Sequence, residues 1–167
     1  MSRKNKGFTL VEMLCTIVVL LLVSAAVTVG IRLAVSNYSV SITASESQVL
    51  CSTVLDSVSD ELRYCTVEDW QADNLKFVSA RYVGIRHFEV SDGRILVVPE
   101  EENEEISMTT ENLLPKKSYV NGMKAQLELT PNEEEGIVRV TVRITDAAGK
   151  VLQERFRDVE ILSTLGS

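Results

Sequence analysis

From Phe8 to Ile31 the chain runs for 24 residues without a proline, and the only charged side chain in that stretch is Glu12. At 1.5 Å per residue a helix of this length crosses a hydrocarbon core about 30 Å thick. The basic residues Arg3, Lys4 and Lys6 precede the run and hold the N-terminus in the cytoplasm by the positive-inside rule. Everything after Arg32 is then expected outside the cytoplasmic membrane.

Glu12 is the anomaly in this segment. An ionised carboxylate at the centre of a bilayer helix costs roughly 2.5 to 3.5 kcal/mol, so an intramembrane acid calls for a named cationic partner. Arg3, Lys4 and Lys6 would stay in the cytoplasm, whereas an α-amine released by cleavage after Gly7 could meet Glu12.

The run Lys6-Gly7-Phe8-Thr9-Leu10-Val11-Glu12 resembles the processing and methylation signature of type IV pilins and of the pseudopilins of secretion and DNA-uptake machines. The resemblance covers about 25 to 30 residues, which is the whole of what is specific to that family in this chain. It implies that a membrane prepilin peptidase cuts between Gly7 and Phe8 and methylates the new amino terminus of Phe8. It further implies that Glu12 pairs with the terminal amine of a neighbouring subunit as the helix passes from lipid into a filament. The implied partners are the peptidase, other pilin subunits, membrane lipid before assembly and, indirectly, an assembly platform with its ATPase. The implied location is a single-pass cytoplasmic-membrane protein, head extracytoplasmic, then the pilus or pseudopilus.

Two plainer readings stand beside this one. A basic start, an apolar core and Val23-Ser24-Ala25 also fit a secretory signal, although Glu12 would interrupt its core. An uncleaved single-span anchor is the other. The first residue of the mature protein separates the three.

Departures from better-known pilins bear on the role. Many major pilins carry a proline in the second half of the apolar segment, where this chain has only Gly30, and Gram-negative ones close a C-terminal loop with two cysteines. No cysteine follows Cys65. Together with retention of Glu12, these differences point to a minor pilin or pseudopilin in the filament body. A membrane-anchored binding or sensing module that does not polymerise is the alternative.

The 167 residues suffice for one membrane segment and one modest globular domain. Formal charge is −7, and loss of Arg3, Lys4 and Lys6 with a leader takes it to −10, which argues against a broad nucleic-acid surface. The expected organisation is a leader at 1–7, a transmembrane or filament-core helix at 8–31, an amphipathic continuation at 32–66 and a β head at 67–167.

Ala44, Ser47, Cys51, Val54, Leu55, Val58, Leu62 and Cys65 recur at spacings of three and four, which predicts one buried helical stripe. Asp56, Ser57, Asp60, Glu61 and Arg63 are expected off that stripe. Strand-like runs follow at 75–79, 82–90 and 94–98, the last pair joined by a Ser91-Asp92-Gly93 turn. Clean alternation marks 123–129 and 138–144, and a final strand begins near Lys150. Its apolar parity slips between Leu152, Phe156, Val159 and Ile161, which predicts a bulge or break near Arg157-Asp158. The class is α+β: a long N-terminal helix packed on an antiparallel meander.

No catalytic constellation, metal set or cofactor motif is expected. His87 is the single histidine, placed in a strand and expected at the surface. Cys51 and Cys65 on one helix would sit about 21 Å apart, too far to bridge, and are expected as buried thiols. A helix ending before Cys65 would permit a bridge, and an intersubunit bond is a further possibility. Cys15 is expected as apolar filler; Trp70 and Tyr64 mark either the helix end packing on the sheet or a subunit contact, with core packing the expectation for Trp70. The acidic runs Glu100–Glu105 and Glu133–Glu135 are expected as solvated loops; some pseudopilins hold calcium in C-terminal loops, but these runs lack the spacing of a calcium loop.

Overall fold

The computed structural model describes residues 9–72, 74–100 and 109–162. The leader, Gly7, Phe8 and the stretch Glu101–Glu105 lie outside the described residues. One α-helix, α1, spans Leu10–Arg63, and the chain divides into two compact units, Met1–Ile42 and Thr43–Ser167.

In the first unit α1 is long and apolar enough to cross a membrane, with a mean hydropathy of 2.7. Its leucines, valines and isoleucines stand exposed. The three hydroxyls within Leu10–Ile31 are not open donors. Thr16 Oγ1 donates to the Glu12 carbonyl at 2.7 Å, Ser24 Oγ to Leu20 at 2.8 Å and Thr28 Oγ1 to Ser24 at 2.8 Å. Bonding back one turn hides each hydroxyl proton against the helix backbone, which suits an apolar surround.

In the second unit the remaining turns of α1 carry the buried stripe Ser47, Leu50, Cys51, Val54, Leu55, Val58, Ser59 and Leu62. This matches the sequence expectation except at four places: Ala44 is exposed, Leu50 and Ser59 join the buried stripe, and Glu61 is buried rather than off it.

The head is antiparallel, as alternation and turns foretold, but it holds two meanders rather than one. The first orders β1 (Thr66–Asp69), β2 (Lys76–Val78), β3 (Ile85–Ser91), β4 (Arg94–Pro99) and β5 (Glu111–Asn112). The second orders β6 (Lys124–Asn132), β7 (Ile137–Thr145) and β8 (Val151–Glu160). Two single-turn 3-10 helices, Lys116–Ser118 and Val120–Gly122, connect them.

The β3–β4 hairpin closes through Asp92 (φ 51°) and Gly93 (φ 70°), the two positive φ values of a type I′ turn. A Cβ on Gly93 would collide with the Lys124 side chain. The bare glycine instead lets its carbonyl accept the Ala125 N–H at 2.7 Å, which stitches the first sheet to the edge of the second. Both sheets close on one core. Phe77, Ile95 and Val97 come from the first sheet, Val138, Val140, Val142, Ile144 and Val159 from the second, and Val54, Val58 and Leu62 from α1.

The expected break near Arg157-Asp158 is absent. Strand β8 pairs with β7 in unbroken register from Ile137↔Glu160 to Ile144↔Gln153, and the irregularity falls at the other end, between Ile144 and Thr145. The parity slips for a different reason. Odd positions of β8 face α1, but Arg155 and Arg157 meet Ser52 Oγ (3.1 Å) and Asp56 Oδ1 (2.7 Å) on the helix flank, so polar residues occupy the inward side. Phe156 stands on the other face, 65% exposed, beneath the Arg139 guanidinium.

Candidate functional site

Glu12 sits in the first turn of α1, not at its centre. Its backbone N–H donates to Thr9 Oγ1 at 3.3 Å, and its Oε2 accepts from the Thr9 N–H at 3.4 Å. These reciprocal bonds form a capping box, with Thr9 as N-cap and Glu12 three residues on. The spacing Thr9-x-x-Glu12 carried this signal in the sequence, which was read there for its charge alone. The positive end of the helix dipole also favours a carboxylate here. Both effects favour an acid in the first turn over one in mid-helix, and among the described residues no donor reaches Oε1. Gly7 and Phe8 lie outside the described residues.

The thiols are placed as expected. Cys51 Sγ donates to the Val142 carbonyl at 3.6 Å, and Cys65 Sγ to the Leu62 carbonyl at 3.2 Å, just past the helix end. Both are buried and neither is in a disulfide, while Cys15 is exposed on the apolar helix. Burial raises both pKa values: Cys51 upward, partly countered by Arg155, and Cys65 to about 12. These are protonated, unreactive groups at neutral pH.

His87 is half-buried rather than at the surface. Its Nδ1 lies 3.4 Å from Glu100 Oε2, but misaligned, so that buried nitrogen makes no hydrogen bond. Glu100 Oε1 takes the Lys76 ammonium at 2.5 Å, and this contact holds the Glu100 carboxyl below the usual carboxylate range. Among the described residues no group of three or more His, Cys, Asp and Glu is placed to hold a metal ion. Glu133–Glu135 form the β6–β7 turn, with the Glu135 N–H donating to Asn132 Oδ1 at 3.3 Å. Trp70 packs against the core, whereas Tyr64 is 65% exposed and does not.

One polar cluster was not anticipated. Glu61, in the last turn of α1, accepts from Ser79 Oγ at 2.8 Å and from the Arg81 guanidinium at 3.0 Å. Next to it Arg86, 3% exposed, donates to the Val83 and Thr109 carbonyls and lies 5.5 Å from the Tyr82 ring. These contacts pin the β2–β3 connection to the helix end. An open groove of about 410 Å³, lined by Val49, Leu50, Thr53, Lys117 and Val120, runs along the helix on another side.

Residues 2–28 match the family model of the prokaryotic N-terminal methylation motif, the type IV pilin and prepilin signature. No curated protein matches the chain, and no solved structure does. The chain therefore carries a prepilin-type signature at the start of a long apolar helix, a motif that belongs to structural rather than enzymatic proteins and fits membrane anchoring.

Proposed function

We propose that this prepilin-like chain is a minor pilin or pseudopilin, a structural subunit of a type IV pilus-like filament. The observation that carries the reading is the methylation motif over residues 2–28, with Glu12 in the first turn of the 54-residue helix Leu10–Arg63. The chain inserts with its N-terminus in the cytoplasm. Prepilin peptidase cuts between Gly7 and Phe8 and methylates Phe8. The apolar helix waits in lipid, then packs among the helices of other pilin subunits, drawn out by a platform and its ATPase.

Extraction is physically reasonable because neighbouring helices replace lipid as the apolar solvent, and head-to-tail contacts propagate without closing. Glu12 sets axial register. A desolvated carboxylate is strongly disfavoured without a charged mate, and the Phe8 amine of an adjoining subunit supplies one.

N-terminal mass analysis of the mature protein tests the processing step: the product should begin at a singly methylated Phe8. A bulky residue at Gly7 should leave the leader attached. Glu12→Ala should permit processing yet keep the subunit out of sheared, high-mass filaments. Normal incorporation of Glu12→Ala would overturn the register role. The groove beside Val49 and Val120 favours the second reading, a membrane-anchored binding module. That reading predicts retention in membranes after shear.

A further inference from the structure

Strand β8 is the edge of the second sheet, and its hydrogen-bonding groups can be sorted by parity. The Ile161 N–H donates to the Gly136 carbonyl at 3.0 Å, in line with the β7–β8 register. In an antiparallel ladder alternate residues bond to opposite sides, so the odd-numbered residues of β8 face β7. The N–H and C=O groups of Glu154, Phe156, Asp158 and Glu160 therefore point to the open edge, and among the described residues none of them has a partner there.

The side chains on the outer face form a charge ladder that stops one strand short. Glu128 on β6 lies 3.3 Å from Arg143 on β7, which lies 3.0 Å from Glu154 on β8. Arg139 on β7 grips Asp158 on β8 at 2.7 Å. Each row ends in an acid at the open edge, so a strand added there would continue the alternation with a base.

The same pattern disfavours a second copy of β8. An antiparallel dyad through Phe156 sets Arg155 against Arg157 and Glu154 against Asp158. A dyad through any residue from Glu154 to Asp158 other than Phe156 places that charge on itself. Inward-facing charge on an edge strand is a known guard against self-pairing.

We propose that β8 is the acceptor edge for an extended strand of a different polypeptide, one with Lys or Arg on its outer-face positions, adding by backbone hydrogen bonds. This proposal does not depend on the filament reading. Its test uses the full chain in nonionic detergent with two end-capped heptapeptides of alternating sequence, one Lys/Val and one Glu/Val. The readout is amide hydrogen exchange resolved along β8.

The Lys/Val peptide should slow exchange at Glu154, Phe156 and Asp158 about tenfold, and the Glu/Val peptide should not. In Glu154→Lys/Asp158→Lys the preference should invert, and in Glu154→Gln/Asp158→Asn it should vanish. Both acids are about half exposed, so neither change threatens the fold, and far-UV circular dichroism verifies this. Equal protection by both peptides, protection unaffected by charge reversal, or none at saturating peptide would each overturn the proposal.

Discussion

Replacing Glu61 by alanine should destabilise the head by about 2 kcal/mol, chiefly through Ser79 rather than through the ion pair. Ser79 is 9% exposed and donates to the Glu61 carboxylate at 2.8 Å. Stranding that buried hydroxyl proton costs about 1 to 3 kcal/mol. The Arg81 side chain is 70% exposed, so its 3.0 Å contact adds under about 1 kcal/mol and water replaces it on removal. Relief of the buried charge offsets part of the loss. Glu61→Gln keeps an acceptor for Ser79 and should cost about 1 kcal/mol, and Arg81→Ala about 0.5 kcal/mol. For a unit of this size 2 kcal/mol corresponds to a Tm decrease of about 6 to 10 °C. Thermal unfolding followed by Trp70 fluorescence in the detergent-solubilised chain resolves that order. A loss in Arg81→Ala equal to that in Glu61→Ala would refute the reasoning, because the exposed ion pair would then dominate.

Burial of Cys65 sets a pH dependence. Its folded pKa of about 12 exceeds the ordinary 9.0, so the folded state holds the proton more tightly, and the stability this confers is complete below pH 9 and drains away toward pH 12. Urea midpoints should fall across that window, and Cys65→Ala should flatten the decline. Native-state alkylation at pH 8 should modify Cys15 once its helix is accessible and spare Cys51 and Cys65, as intact mass would record. Gly93→Ala should lower stability by at least about 1 kcal/mol, since its φ of +70° disfavours a side chain and the added methyl meets Lys124. A near-neutral urea titration would contradict that account of the hairpin.

The elements most legible in the sequence were those written in local pattern. Absence of proline and the three-four spacing from Ser47 to Leu62 marked α1, and strict alternation marked β6 and β7, because each buries one face against a single neighbour. Asp92-Gly93 marked the tight hairpin because a type I′ turn needs two positive φ values. Features set by distant partners were not legible. Glu61 reads as a surface acid until Ser79 and Arg81, 18 and 20 residues on, fold over it. Alternation gives each strand a buried face but no neighbour, so two sheets looked like one. On β8 the inward arginines are intelligible only with Ser52 and Asp56 in view. At the candidate site Glu12 stood out as a charge in an apolar run, yet its bond to Thr9 is a local signal that spacing alone could have supplied.

The Thr9–Glu12 box and the back-bonded hydroxyls bear on how one segment can serve two surroundings, as the filament reading requires. In lipid, a carboxylate in the first helical turn sits near the interface rather than at mid-bilayer, and its cost falls below the central value of roughly 3 kcal/mol. Thr9 and the helix dipole lower it further, and Thr16, Ser24 and Thr28 turn their protons onto the backbone, leaving an apolar surface. On that reading a subunit stored in lipid needs no partner for Glu12. On the filament reading, packing among other helices would leave Glu12 Oε1 without water, and bonds to Thr9 alone would not compensate an ion in a dry core. The penalty thus appears on assembly and is relieved where an amine meets the open oxygen. Removing the capping hydroxyl by Thr9→Val should then fray the helix start while leaving incorporation intact, whereas Glu12→Gln should keep the cap and lose the register. Equal loss of incorporation in the two variants, scored in sheared filaments, would show that capping rather than charge is what assembly reads.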